Sequence, residues 1–335
     1  MKLKGLKKPL RRLLTAALLV LLLAGCGKTT QTTIAPTIEQ PTVEIPLTPT
    51  TIPSSLLVVD GSGQATPAAL ESVQAFATAN GLDLRQGSDL NTDFSGVKIA
   101  VVFGDAAAYK DQAASHPETQ FLFIGRTSEG AGGNISLVVN RPQDMAFMAG
   151  FLATHVAEDW RSGGLLSTGA SPAGVTSNAF VNGGGYVCGG CVPVYPPYMN
   201  YPVFQDVTGK TSAAEIQGDV DALTLNKVET VFVAAAADLP EVLDALELAG
   251  MTAIGENPVS ANAARYAAIL AYETAPAVTE LLPSLLAGEG GQTAFSRVRL
   301  ASVNDTQKIP PSRQDLFAQS AEALAGGWIL PLSVP

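Results

Sequence analysis

Two of the three cysteines in this chain are closely spaced, in the segment Cys188-Gly189-Gly190-Cys191. Two thiols at this spacing could close a disulfide, supply half of a zinc site, or exchange electrons as a redox pair. A zinc site needs two further ligands, and the only histidines are His116 and His155. A redox pair usually begins a helix after a strand, whereas glycine and proline flank this one. The three alternatives stay open, and export of the chain would favour the disulfide.

Other catalytic motifs are not visible in the sequence. It contains no Gly-x-Ser-x-Gly nucleophile elbow and no His-Glu-x-x-His zinc motif. Acidic residues occur throughout, but no spacing pairs two of them in a defined geometry. We therefore expect a non-catalytic protein without a metal or another cofactor, in which both histidines are structural.

The first 25 residues have the pattern of an export signal. Six basic residues and no acidic ones precede an apolar run from Leu13 to Leu23. At about 11 residues this run is too short to span a bilayer. It ends in Leu23-Ala24-Gly25-Cys26, which resembles the lipobox of bacterial lipoprotein precursors. The resemblance implies cleavage before Cys26, a lipid on its thiol, and a protein held by that lipid on the periplasmic or outer side of the cell membrane.

The composition behind this signal predicts a tethered globular body. Residues 26–55 are rich in Thr and Pro with only scattered apolar side chains, and such a segment stays extended. Removal of residues 1–25 would take six of the 20 basic residues and none of the 30 acidic ones, leaving a net charge of −16. This surplus of negative charge argues against a nucleic acid or an anionic membrane surface as partner.

Short apolar runs alternate with helical patterns through the rest of the chain. The pattern predicts strands at 56–59, 97–103, 120–124, 135–139, 164–167, 230–234 and 252–255, and helices at 67–80, 143–157 and 240–249. Such alternation predicts an α/β fold of parallel sheets covered on both faces. Two successive runs of it predict two doubly wound lobes, with a ligand bound outside the carboxyl ends of the strands.

Several passages resemble the basic membrane protein family, the purine-nucleoside-receptor-like substrate-binding lipoproteins of ABC transporters. They are residues 115–121 (SHPETQF), 134–136 (NIS), 146–153 (AFMAGFLA) and 325–331 (AGGWILP). The resemblance implies a type I periplasmic-binding-protein fold, in which two lobes joined by a hinge close over a small-molecule ligand and present it to an ABC permease. It predicts residues 56–141 as the first part of lobe 1, 142–270 as lobe 2, and 271–335 as the return to lobe 1 with the C-terminal helix.

Polar residues that follow the predicted strands are the candidate ligand contacts. They are Asp60, Ser62 and Gln64 after the first strand, Asp105 after the next long one, Arg126 after 120–124, and Glu256 and Asn257 in lobe 2. Each could instead be a helix cap or a turn residue, Asp105 especially.

The resemblance makes a nucleoside the expected ligand, although two features depart from the family pattern. Residues 60–65 lack the aromatic side chain that stacks on the base in the family, and Asn257 stands where the family has an aspartate for ribose hydroxyls. Loss of base stacking would weaken binding by roughly ten- to a hundredfold. Tyr186, Tyr195 and Tyr198 around the cysteine pair could replace this stacking, or could be ordinary surface or hinge residues.

Two functions are consistent with these features. The first is capture of a small ligand for an ABC transporter. The alternative is a sensory or structural lipoprotein of the same fold that passes ligand information to a signalling partner. An exposed apolar or aromatic patch around residues 188–198 would favour a protein partner.

Overall fold

The computed structural model describes residues 54–61, 65–89, 93–125, 129–169, 172–257 and 261–332. The strands are β1 (Ser55–Val59), β2 (Asp83–Gly87), β3 (Val97–Phe103), β4 (Gln120–Gly125), β5 (Ile135–Val139), β6 (Ser162–Leu166), β7 (Val203–Asp206), β8 (Thr230–Val233), β9 (Thr252–Glu256), β10 (Ala268–Glu273), β11 (Thr293–Phe295) and β12 (Arg297–Val303). The α-helices are α1 (Pro67–Ala79), α2 (Lys110–Ser115), α3 (Pro142–Val156), α4 (Val175–Cys188), α5 (Ala213–Leu225), α6 (Pro240–Leu248), α7 (Ala275–Leu286) and α8 (Pro311–Ala325).

Several sequence predictions lie outside the described residues. They are the export signal, most of the tether, and the candidate residues Cys26, Ser62, Gln64 and Arg126. Within the described ranges, no helix is both long enough and apolar enough to cross a membrane.

The strands form two six-stranded sheets. The first has the order β11-β5-β4-β3-β1-β2, and all of its pairings are parallel. The second has the order β12-β10-β9-β8-β6-β7 and is parallel except for β12, which runs antiparallel to β10. Apolar clusters cover both faces of each sheet, which is why most inner strands are continuous apolar runs. The predicted α/β fold with two doubly wound lobes is confirmed.

The chain passes between the two sheets three times, at Asn140–Arg141, at Thr274 and at Ser296. The sequence prediction assigned residues 271–335 to lobe 1, and this assignment needs correction. Only α7 and β11 return to the first sheet, whereas β12 pairs with β10 in the second. The final helix, α8, packs on β12 and α3, so it also belongs to the second lobe.

Prolines in the first turn mark the start of several helices. α1 begins at Pro67, α3 at Pro142 and α6 at Pro240, because proline fits the first turn, where a backbone N–H has no partner within the helix. In α1, Thr66 also caps the helix, since its Oγ1 accepts a hydrogen bond from the Ala69 N–H at 3.3 Å.

Helices α3 and α4 cross at very short range over the second sheet. A Cβ added at Gly183 would collide with the backbone oxygen of Phe147, and one added at Gly150 would collide with that of Phe180. The Phe147 and Phe180 side chains are both fully buried beside this crossing. The close contact therefore needs glycine at both positions, and it fixes α4 relative to the sheet.

Candidate functional site

All three crossings leave the sheets at their carboxyl edges. Ser296 donates its backbone N–H to the oxygen of Val139 at 3.1 Å, and its Oγ lies 2.5 Å from the Oδ1 of Asn140. The Tyr272 hydroxyl, from the end of β10, donates to the backbone oxygen of Arg141 at 3.1 Å. These contacts tie the three crossing segments together at the carboxyl edges of the two sheets.

Two predicted contacts, Asp60 and Asp105, lie on the carboxyl edge of the first sheet. Asp60 directly follows β1, and its Oδ2 accepts the N–H of Ala65 at 3.2 Å. Asp105 follows β3 and is exposed; it makes no side-chain cap bond to the short 3₁₀ turn that begins behind it. Its carboxylate lies over Gly125 at the end of β4, where any side chain would collide with it. The structure therefore brings these two carboxylates to one edge, as predicted.

The carboxyl edge of the second sheet holds a pocket lined mainly by apolar residues, with Ser167, Thr176 and Glu256 as its polar ones. Its lining residues are Pro142, Met145, Ala146, Leu166, Ser167, Thr176, Phe232, Ala234, Ala235, Ala236 and Glu256. We call it the edge pocket. Glu256, one of the candidate contacts from the sequence, is among these lining residues, and its Oε2 accepts the N–H of Ala235 at 3.3 Å. Asn257 is exposed, has φ of 40°, and donates its backbone N–H to the Leu270 oxygen, so it does not line the edge pocket.

Thr176 also lines the edge pocket, and no strand-end pattern in the sequence indicates it. It lies in the first turn of α4 with 6% of its surface exposed, and its buried Oγ1 has no hydrogen-bond partner among the described residues. A buried hydroxyl without a partner is uncommon in a folded protein, because losing its bonds to water costs free energy. Thr176 is thus a polar residue in the lining of the edge pocket whose hydroxyl the described part of the chain leaves unbonded.

Thr168 and Gly169, shortly after β6, are held by hydrogen bonds to the residues that end and follow β7. Asp206 accepts hydrogen bonds from the Thr168 hydroxyl at 2.6 Å and from the Thr208 backbone at 2.9 Å, while Thr208 Oγ1 accepts the N–H groups of Thr168 and Gly169. Burial alone would raise the pKa of Asp206, but the hydrogen bonds from Thr168 and Thr208 outweigh it and lower this pKa. Hydrogen bonds within the protein therefore fix Thr168 and Gly169 beside Ser167.

An ion pair lies where the first crossing enters α3. Arg141 Nε donates to Asp144 Oδ2 at 2.7 Å, and the Arg141 guanidinium lies 4.3 Å from the ring centre of Phe295. Asp144 is 2% exposed, and its Oδ1 has no hydrogen-bond partner. Burial raises the pKa of Asp144 to about 6, although the charge of Arg141 opposes this rise. The pair joins two of the crossing segments.

The cysteines and their tyrosine-rich loop lie on the opposite edge of the second sheet. Cys188 ends α4, and its Cα lies 5.1 Å from that of Cys191, a separation that a disulfide can span. Arg161, just before β6, donates to the backbone oxygen of Tyr195 at 2.7 Å, so the loop lies at the amino ends of the strands. Tyr195 and Tyr198 are 72% and 69% exposed. They are surface residues and do not line the edge pocket, so they do not replace the aromatic missing after β1.

The histidines make contacts typical of structural residues. His116 stacks on Phe94 with ring centres 4.5 Å apart, and His155 contacts the edge of Phe151 at 4.7 Å. Burial, followed by the charge of Arg313, lowers the pKa of His155. Among the described residues, no group of three or more His, Cys, Asp or Glu side chains could hold a metal ion.

Comparison with solved structures identifies the fold. No protein-family model and no curated protein matches the chain. A transcriptional activator of the comK gene from Bacillus halodurans is 16% identical, with a TM-score of 0.57 over 83% of this chain and 99% of that one. An ABC transporter solute-binding protein from Conexibacter woesei is 14% identical, with a TM-score of 0.57 over 83% and 98%. One from Aeropyrum pernix is 13% identical, with a TM-score of 0.54 over 85% and 94%. At these identities the likeness establishes the type I periplasmic-binding-protein fold alone.

Proposed function

We propose that this protein is a non-catalytic, extracytoplasmic solute-binding protein that captures a small ligand between its lobes for an ABC permease. The observation that carries the proposal is the buried Thr176 hydroxyl in the edge pocket, which no residue in the described part of the chain bonds. The fold that this chain shares with two ABC transporter solute-binding proteins supports it. In such a protein the ligand stabilises the closed state by contacting both lobes.

The proposed ligand is nucleoside-like, with several hydroxyl groups. Glu256 supplies a carboxylate that accepts hydrogen bonds, and Thr176 supplies a hydroxyl that can donate or accept. Asp60 and Asp105 offer further acceptors at the edge of the first sheet. Phe232 and Met145 in the lining of the edge pocket give an apolar surface against which a ring can pack. This chemistry suits a ligand with both an apolar ring and donor groups.

Lipid attachment at Cys26 is part of the proposal, since the export signal and its lipobox-like end support it. Incorporation of labelled fatty acid by the wild-type chain, and its loss in Cys26→Ser, is the expected result. Equal labelling of both chains would contradict the anchor and leave the ligand site unaffected.

Thermal unfolding of the full chain with nucleosides, bases, sugars and amino acids tests the ligand. A ligand at about 100 times its Kd should add roughly 2.7 kcal/mol and raise the Tm by several degrees. A rise with nucleosides alone is the expected result. A rise with another class would retain a binding protein and discard the nucleoside, and no rise with any compound would contradict ligand capture from this panel.

A sensory lipoprotein is the second candidate, because the loop after α4 exposes an apolar, aromatic surface. Val194, Tyr195 and Tyr198 are each more than half exposed on this loop. Surfaces of this kind often contact a partner protein. Encoding beside a sensor kinase, with no permease or ATPase gene nearby, is the expected observation for this alternative.

A further inference from the structure

Two helices begin at the edge pocket, and neither has a side-chain cap. Thr176 of α4 and Pro142 and Met145 of α3 lie in first turns that line the pocket. Neither Gly174 nor Arg141, the residues before these helices, supplies a cap from its side chain. The start of a helix carries about half a positive charge, because its first N–H groups have no partners within the helix. Asp144 in the first turn of α3 is paired with Arg141, so this pair adds no net charge, and the two helix starts give the pocket a positive potential that would attract an anion.

Glu256 is the one charged residue among the described residues that line this pocket. It is half-buried, and it is held by the Ala235 N–H. Its full negative charge offsets the two partial positive charges of the helix starts. The protein therefore already contains the anion that this potential favours, and the carboxylate leaves only acceptor atoms on that side of the pocket.

We propose that Glu256 sets the charge selectivity of the site, so that the site takes an uncharged or cationic ligand with donor groups and excludes anions. This inference rests on the proposed function as a binding protein and deepens it. A ligand hydroxyl or amine donates to Glu256, and Thr176 bonds a second polar atom of the ligand. A phosphate brings negative charge and acceptors only, so a phosphorylated ligand should bind about ten- to a hundredfold more weakly than its parent.

The test measures Tm shifts of the full-length chain with nucleosides, with their 5′-monophosphates, and with inorganic phosphate. The variants are Glu256→Gln, which removes the charge, Glu256→Asp, which keeps it, and Glu280→Gln, which removes an equal charge from the exposed side of α7. Glu256→Gln should gain a shift of about 2 to 4 °C with phosphate at roughly ten times its Kd. Wild type, Glu256→Asp and Glu280→Gln should not gain this shift.

The outcomes separate the inference from the proposed function. Equal binding of nucleosides and monophosphates by the wild type would overturn the charge selectivity while keeping the binding protein. Failure of Glu256→Gln to gain phosphate or monophosphate binding, with its unliganded Tm unchanged, would also overturn it. A phosphate shift confined to Glu256→Gln, with no nucleoside binding by any chain, would support the charge selectivity and reject the nucleoside as ligand.

Discussion

Among single residues, the candidate site combines polar side chains at the ends of strands with Thr176, which lies at the start of a helix. Asp60, Asp105 and Glu256 lie at carboxyl edges, as the sequence analysis predicted. Asn257, one residue beyond β9, donates its backbone N–H to Leu270 of β10 and lies outside the edge pocket. Thr176 could not be predicted, because its position depends on how α4 packs on α3.

Asp144 predicts a pH dependence of stability. Its pKa in the folded chain, about 6, lies above the ordinary value of 3.8, so protonation favours the folded state. This stabilisation is complete below about pH 4 and is lost as the pH rises through 6. Relative to Asp144→Asn, the unfolding free energy of the wild type should fall by about 2 to 3 kcal/mol between pH 4 and 7. Chemical denaturation across this range checks it, and a difference that does not change with pH would contradict it.

The cysteine pair gives a second prediction, since a disulfide between Cys188 and Cys191 would close a very short loop. Alkylation of the unfolded, unreduced protein should leave both thiols unlabelled, and reduction should make both reactive. Their replacement by serine should lower the unfolding free energy by only about 2 kcal/mol, because short loops lose little chain entropy on closure. Labelling of both thiols without a reductant would show that no disulfide forms.

Among the elements, α4 places Thr176 in the lining of the edge pocket. Its segment contains three consecutive glycines, which disfavour a helix by intrinsic propensity. The helix forms because Gly183 lets the backbone of α3 approach and Gly184 makes room for Pro202. This tertiary contact outweighs local propensity.

Two glycines of α4 form a matched pair for this argument. Gly183→Ala should destabilise the protein by about 2 kcal/mol or more, because its Cβ would collide with the Phe147 backbone. Gly185→Ala has open space around its Cβ and should be neutral or stabilise by up to about 1 kcal/mol. Denaturant unfolding of both variants measures this difference. Equal effects would contradict the close packing of α3 and α4.

The same packing explains how much of the fold the sequence could predict. The predicted strand at 97–103 coincides with β3, and that at 135–139 with β5, because these buried parallel strands are uninterrupted apolar runs. The sequence pattern does not indicate α4, since its glycines are explained only by its contact with α3. The part of the chain from β12 onward lies in the second lobe and not in the predicted first one, because β12 pairs with β10 and neither sequence carries a signal for its partner.

In the molecule as a whole, three crossing segments that are hydrogen-bonded to one another join the two sheets. Asn140, Tyr272 and Ser296 take part in these bonds. We predict that a ligand contacts both carboxyl edges at once and favours closure of the lobes. The tyrosine-rich loop lies at the amino ends of the second sheet and should be unaffected.

Hydrogen–deuterium exchange of the full chain, with and without a compound that raises its Tm, measures whether the ligand contacts both lobes. We expect slower exchange at residues 104–109 of the first lobe and at 167–169, 172–176 and 234–237 of the second. Residues 192–198 should exchange at the same rate with and without the compound. Protection confined to one lobe, or to the amino-edge loop at 192–198, would contradict a ligand held between the carboxyl edges.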